Sequence, residues 1–76
     1  MRYLVQDSVD NGTTWRPLSL GGQELTFKSK AEAKVWFIAF EEANNIDWRV
    51  GFLICTRDRK HFRLVHKKTG EPVVKY

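Results

Sequence analysis

The amino-acid sequence predicts a small α+β domain: a two-layer sandwich in which one helix packs on an antiparallel sheet of four to five strands, in the order ββαββ. Three observations predict it. A capping box at Ser29 and Glu32 opens the one stretch with helical periodicity, the segments on either side alternate with a period of two, and asparagine, glycine and proline punctuate those segments at short intervals. A single helix can shield only one face of an antiparallel sheet, so the other face is expected to meet water.

RYLVQDS, residues 2 to 8, reads as the first strand because β-branched and aromatic side chains suit a pleated, half-buried surface. Asp10, Asn11 and Gly12 then turn the chain, the latter two tolerating positive φ at little cost. TWRPLSL returns as a second strand through Trp15, Leu18 and Leu20; Pro17 lacks the N–H a ladder needs, which places this strand at an edge or bulge, and Gly21-Gly22 ends it.

The helix is expected to start at Lys30 and end near Asn44-Asn45. At 100° per residue Ala33, Trp36, Ala39, Phe40 and Ala43 share one side, flanked by Val35 and Phe37, while Lys34, Glu41 and Glu42 lie opposite. Ala31, Val35 and Ile38 form a separate apolar stripe, readable as scattered exposed residues or as a protein contact. WRVGFLICTR then reads as one strand, with Trp48, Val50, Phe52 and Ile54 facing the helix and Arg49, Gly51, Leu53, Cys55 and Arg57 facing away. Asp58, Arg59 and Lys60 reverse the chain, HFRLVHK puts Phe62 and Leu64 inward and His61, Arg63, Val65 and Lys67 outward, TGEP turns again, and Val73 to Tyr76 close the sheet.

Seventy-six residues, 42% of them hydrophobic, form a single domain over 1 to 76 with one core and little else. Cys55 is the sole cysteine, which excludes an intramolecular disulfide and speaks against a thiolate metal cage. The first seven residues carry no apolar signal core, and no apolar run approaches the roughly 18 residues of a membrane span. These features are read as a cytoplasmic, complete, soluble protein with no membrane partner.

SVDNGTTW, Ser8 to Trp15, matches the Asp-box pattern Ser/Thr-x-Asp-x-Gly-x-Thr-Trp/Phe at every defined position: Ser8, Asp10, Gly12, Thr14 and Trp15. The stretch resembles the hairpins repeated in sialidase-like propellers and found singly in some small microbial ribonucleases, where the box is generally structural. The resemblance implies a self-sufficient turn in which Asp10 accepts backbone hydrogen bonds and Trp15 folds back beneath the loop. A propeller needs several copies, and the nearest echo, Thr56-x-Asp58-x-x-x-Phe62, lacks the glycine. The ribonuclease comparison needs a general base and acid; His61, His66, Arg63 and Glu71 supply the residue types, but alternation sends the two histidines to opposite faces of one strand. Neither a catalytic residue nor a metal, cofactor or small-molecule substrate is assigned: Cys55 in FLIC reads as a small hydrophobe, and no P-loop or Ser/His/Asp spacing is present.

The stronger lead is charge. Residues 1 to 48 hold five basic and seven acidic side chains, whereas residues 49 to 76 hold eight basic and two acidic. Arg49, Arg57, His61, Arg63 and Lys67, with Arg59, Lys60 and Lys68 in adjacent turns, are expected to gather on the uncovered sheet face around Leu53, Cys55 and Val65. Such a face either neutralises phosphates or docks on an acidic protein surface, although single cations of this kind also serve simply to protect a sheet edge. The expected function is a non-enzymatic binding or regulatory protein contacting nucleic acid or an acidic surface of a nucleoprotein assembly. The alternative is a phage- or mobile-element-type inhibitor that binds a host protein through the same face or the Ala31/Val35/Ile38 stripe.

Overall fold

A computed structural model describes residues 2–76; residue 1 of the single-domain reading lies outside the described residues. One helix and a mostly antiparallel sheet of several strands build an α+β fold, as the alternation and the capping box predicted. The element order is richer than ββαββ. Among the described residues five strands precede the helix: β1 (Tyr3–Ser8), β2 (Arg16–Pro17), β3 (Ser19–Leu20), β4 (Gln23–Glu24) and β5 (Thr26–Phe27). After α1 (Lys30–Ala43) come β6 (Ile46–Val50), β7 (Leu53–Thr56), β8 (His61–His66) and β9 (Pro72–Val73).

The two longest strands, β1 and β8, pair along their whole length from Tyr3↔His66 to Ser8↔His61 and form the centre of the sheet. Outside β1, the chain of the expected second strand does two things. Its first part, β2, pairs with Gln6 and Asp7; it then leaves the sheet at Leu18 to form the separate β3–β4 ribbon, and β5 returns to pair with Tyr3 and Leu4. Val5 holds the ends of this excursion together, donating its N–H to the Leu25 carbonyl at 3.2 Å and accepting from Leu18 N at 2.9 Å. On the other side β8 is shared in the same way, with β7 against His61, Phe62 and Arg63 and β9 against Leu64 and Val65.

The stretch Trp48 to Arg57 is not one strand, which corrects the sequence expectation. Gly51 has φ +56 and Phe52 follows at negative φ, the pattern of a II′ turn, so the chain folds into the β6–β7 hairpin with Val50 opposite Leu53. An uninterrupted period of two gives no sign of such a break; only the glycine does. Its consequence is a change of face. Phe52 and Ile54 are fully buried beneath the helix, but Trp48 sits opposite Cys55 and is 41% exposed, and Val50 is 58% exposed.

The helix starts where the sequence placed it. Ser29 Oγ accepts from the Glu32 N–H at 3.2 Å, and the Glu32 carboxylate takes the N–H of Lys28 rather than that of Ser29. At the other end the Asn44 amide donates to the Phe40 carbonyl at 2.9 Å, filling one acceptor that the last turn leaves open. The buried stripe is Ala33, Trp36, Phe37 and Phe40, while Ala39, Ala43 and Val35 are exposed. The helix is thus rotated from the predicted face, because burying the Phe37 ring removes far more apolar area from water than burying two alanine methyls, about 2 to 3 kcal/mol for a full aromatic side chain. Phe37 meets Phe52 edge-on at 5.2 Å between ring centres, Phe40 meets Phe62 at 4.7 Å, and Trp36 stacks on Phe40 at 5.1 Å. Val5 and Leu64, fully buried at the sheet centre, complete this core.

Candidate binding face

Strand alternation and register assign the far face of the sheet, away from α1. Phe62 touches the helix, so its neighbours His61 and Arg63 point the other way, and their cross-strand partners Ser8, Cys55, Gln6 and Leu53 accompany them. This face is less bare than an alternating strand suggests. Ser8, Cys55, His61 and Val65 are buried, and Leu53 and Arg63 are half-buried.

The loop before β2 provides part of that cover. Ser8 Oγ donates to Asp10 Oδ1 at 2.7 Å and accepts from Gly12 N at 2.9 Å; Asp10 accepts from the N–H and hydroxyl of Thr14; and Trp15 Nε1 donates to the Gly12 carbonyl at 3.1 Å. Asn11 and Gly12 both take positive φ, 64° and 83°. The bonds from Thr14 and Ser8 lower the Asp10 pKa to about 2, so the carboxylate is committed to the loop as an acceptor. The loop delivers the indole of Trp15 onto the sheet, where the Arg63 guanidinium lies 4.1 Å from a ring centre and the His61 imidazole meets it edge-on at 6.3 Å. Trp48 approaches the same imidazole from β6 at 5.8 Å. Two indoles, an imidazole and a guanidinium therefore form one connected strip.

Arg63 is the unusual member. Its Nε donates to Gln6 Oε1 at 2.9 Å, and among the described residues no carboxylate lies within ion-pair distance of it. Burial pulls its pKa down from the ordinary arginine value, though a guanidinium remains charged at any physiological pH. A cation that has lost part of its water without gaining a counter-ion is a natural acceptor site for an anion. Beside it Trp15, Leu53, Pro72 and Val74 line an apolar groove of about 250 Å³.

The other cations expected on this face are placed differently. Arg49 is on the helix side: it stands opposite the buried Ile54, its Nε lies 3.0 Å from Glu41 Oε2 of α1, and its guanidinium bonds and stacks on Tyr76. The β6–β7 turn is the reason, since it reverses the facing of Trp48, Arg49 and Val50. Arg57, Arg59 and Lys60 lie exposed in the β7–β8 turn at one end of β8, and Lys67 and Lys68 lie exposed in the β8–β9 turn at the other, roughly 20 Å away at about 3.3 Å per residue. Lys60 approaches Asp58 at 3.8 Å. The sequence expectation of a single gathered patch is thus corrected to two basic ends with Arg63 between them.

At the first of these ends, Phe40, Asn44, Arg57 and Lys60 border a cleft of about 400 Å³. The turn beneath it is tied by Thr56 Oγ1, which donates to Asp58 and accepts from Lys60 N at 3.2 Å; the Thr56 hydroxyl, then Lys60, hold the Asp58 carboxyl below its usual range. Cys55 is buried, and desolvation followed by the nearby Asp47 charge pushes its thiol pKa up, away from nucleophilic thiolate. His66 rests on Tyr3 at 5.1 Å, on the face opposite His61. Ala31, Val35 and Ile38 fall together on the outer side of α1, with Val35 70% exposed. No helix among the described residues is long and apolar enough to cross a membrane, and no group of three or more metal-ligating side chains forms among them.

Sequence reasoning missed Trp48 as a residue of this face. The only signal that could have found it was Gly51, read as a turn rather than as a strand position. The chain matches no protein-family model, no curated protein and no solved structure.

Proposed function

We propose that this protein is a small non-enzymatic binding module whose far sheet face and adjoining turns contact nucleic acid, with the charged backbone as the main ligand. The observation that carries this reading is Arg63: a half-buried guanidinium seated on an indole, lacking a carboxylate partner, midway between two exposed basic turns. Phosphates spaced along a strand would meet Arg57 and Arg59 at one end, Arg63 in the middle and Lys67 and Lys68 at the other. Arg49 is left out of this reading because it lies on the helix side beside Glu41.

The reading is tested by fluorescence anisotropy with a generic labelled oligonucleotide across about 50 to 200 mM salt, where each phosphate contact contributes about 0.7 to 0.9 to the log–log slope. Arg63→Gln and the pair Lys67→Gln/Lys68→Gln are expected to flatten the slope, whereas Arg49→Gln leaves it unchanged. A salt-independent affinity would refute the proposal. The exposed Ala31, Val35 and Ile38 stripe favours a second reading, a protein-binding modulator; under it a partner protein is lost on Ile38→Asp while oligonucleotide binding stays negligible.

A further inference from the structure

We infer that the ligand of this face is single-stranded nucleic acid, with Trp48 as the platform on which a base stacks and Arg63 as the contact to a neighbouring phosphate; this rests on the binding role proposed above. Trp48 is a large aromatic side chain 41% exposed on the far sheet face, where Val50 of the same strand is 58% exposed beside it. It is not loosely held. Its ring is set edge-on against the buried His61 imidazole, which is itself braced from the other side by Trp15. Pre-set aromatic faces of this kind bind bases with little ordering cost.

The strip has the composition that single strands require. Bases stack on aromatic rings whatever their sequence, at about 1 to 3 kcal/mol each, while cations track the backbone. Here the aromatic members lie inside the face and the exposed cations lie at its two ends, with Arg63 between. A duplex keeps its bases stacked on one another, so against this surface it would meet only the cations. The groove lined by Trp15, Leu53, Arg63 and Val74 continues the strip past the guanidinium and offers apolar cover for a second unstacked base. One group works against the ligand: Asp47, beside Trp48 in β6, is a carboxylate close enough to Cys55 to raise its thiol pKa.

The experiment compares an oligothymidylate of about 16 nucleotides with a duplex of equal length by anisotropy, at about 50 and 200 mM salt. The single strand is expected to bind about tenfold or more tightly than the duplex. Trp48→Ala should remove most of that difference and leave duplex binding unchanged, and Asp47→Asn should tighten the single strand about two- to threefold. Should Trp48→Ala fail to fold, Trp48→Leu keeps an apolar side chain at that position while removing the ring, and must lose the same single-strand preference. Equal affinity for both probes, or a single-strand preference that persists in the folded Trp48 variant, would overturn the single-strand inference and leave the salt-dependent backbone reading standing. Failure of both probes to bind at the lower salt, with or without binding of polyglutamate, would overturn both.

Discussion

The loop at Asn11-Gly12 and the turn at Gly51-Phe52 both reverse the chain through positive φ, at Asn11 and Gly12 in the first and at Gly51 in the second, yet they are held in opposite ways. The first is closed by its own atoms, because Ser8, Asp10, Thr14 and Trp15 all bond within the same eight residues. The second is closed from a distance. Phe52 N donates to the Val74 carbonyl at 2.8 Å, Tyr76 meets the Phe52 ring edge-on at 4.6 Å, and a Cβ on Gly51 would overlap that same carbonyl oxygen. A turn of the first kind forms from local chemistry alone. A turn of the second kind depends on the segment after β9 being in place.

The largest expected effect comes from forcing that dependence. Gly51→Ala combines positive φ with a backbone overlap, and is expected to cost about 3 kcal/mol, seen as a fall in melting temperature of about 15 °C. The corresponding substitution in the self-closed loop, Gly12→Ala, meets only the Trp15 ring at 3.7 Å and should cost about 1 to 2 kcal/mol, from backbone strain alone. Equal costs would erase the distinction between the two turns.

Tyr76→Ala comes next. It removes the ring that covers Phe52 and supports Arg49, and should cost about 1 kcal/mol, with amide exchange accelerating first at Phe52 rather than in the Ser8–Trp15 loop. The β7–β8 turn sharpens the comparison from a third side. It repeats the Thr-x-Asp bonding of the first loop in part, but Arg59 rather than glycine takes φ +69. Arg59→Gly is therefore expected to stabilise the fold by about 0.5 to 1 kcal/mol while lowering the salt slope for oligonucleotide binding.

The smallest effect at neutral pH belongs to Asp10→Asn, and its pH dependence is the informative part. The folded carboxylate has its pKa lowered from 3.8 to about 2, so its contribution is present above about pH 4 and is lost as pH falls toward 2. Thermal melts should show wild type above Asp10→Asn at pH 5 and the two converging by about pH 2. Because the residue is committed to its own loop, oligonucleotide affinity of the folded protein should not change.

The parts of this molecule that were legible in its sequence are those whose determinants lie within a few residues of one another. Ser29 and Glu32 mark the helix start because an orphaned N–H is satisfied by whichever oxygen is three residues away; Asn44 closes the end for the same reason. Asn11 and Gly12 specify their turn, and the spacing of His61 and His66 sets them on opposite faces of β8. The alternating segments were enough to give an α+β fold with an antiparallel sheet.

Tertiary packing decided the rest. Gly51 suits a strand interior or a turn almost equally until Val74 occupies the space beside it, and that choice carried Trp48 to the far face and Arg49 to the helix side. The rotation of α1 was set by the Phe37 ring finding Phe52, a partner that exists only once the hairpin has formed. The position of the cations followed from where β8 begins and ends, which separated them into two turns instead of one patch. Local hydrogen bonding can be read from neighbours in the chain, but the face a side chain presents depends on contacts between segments far apart in sequence, and those are settled only when the whole core closes.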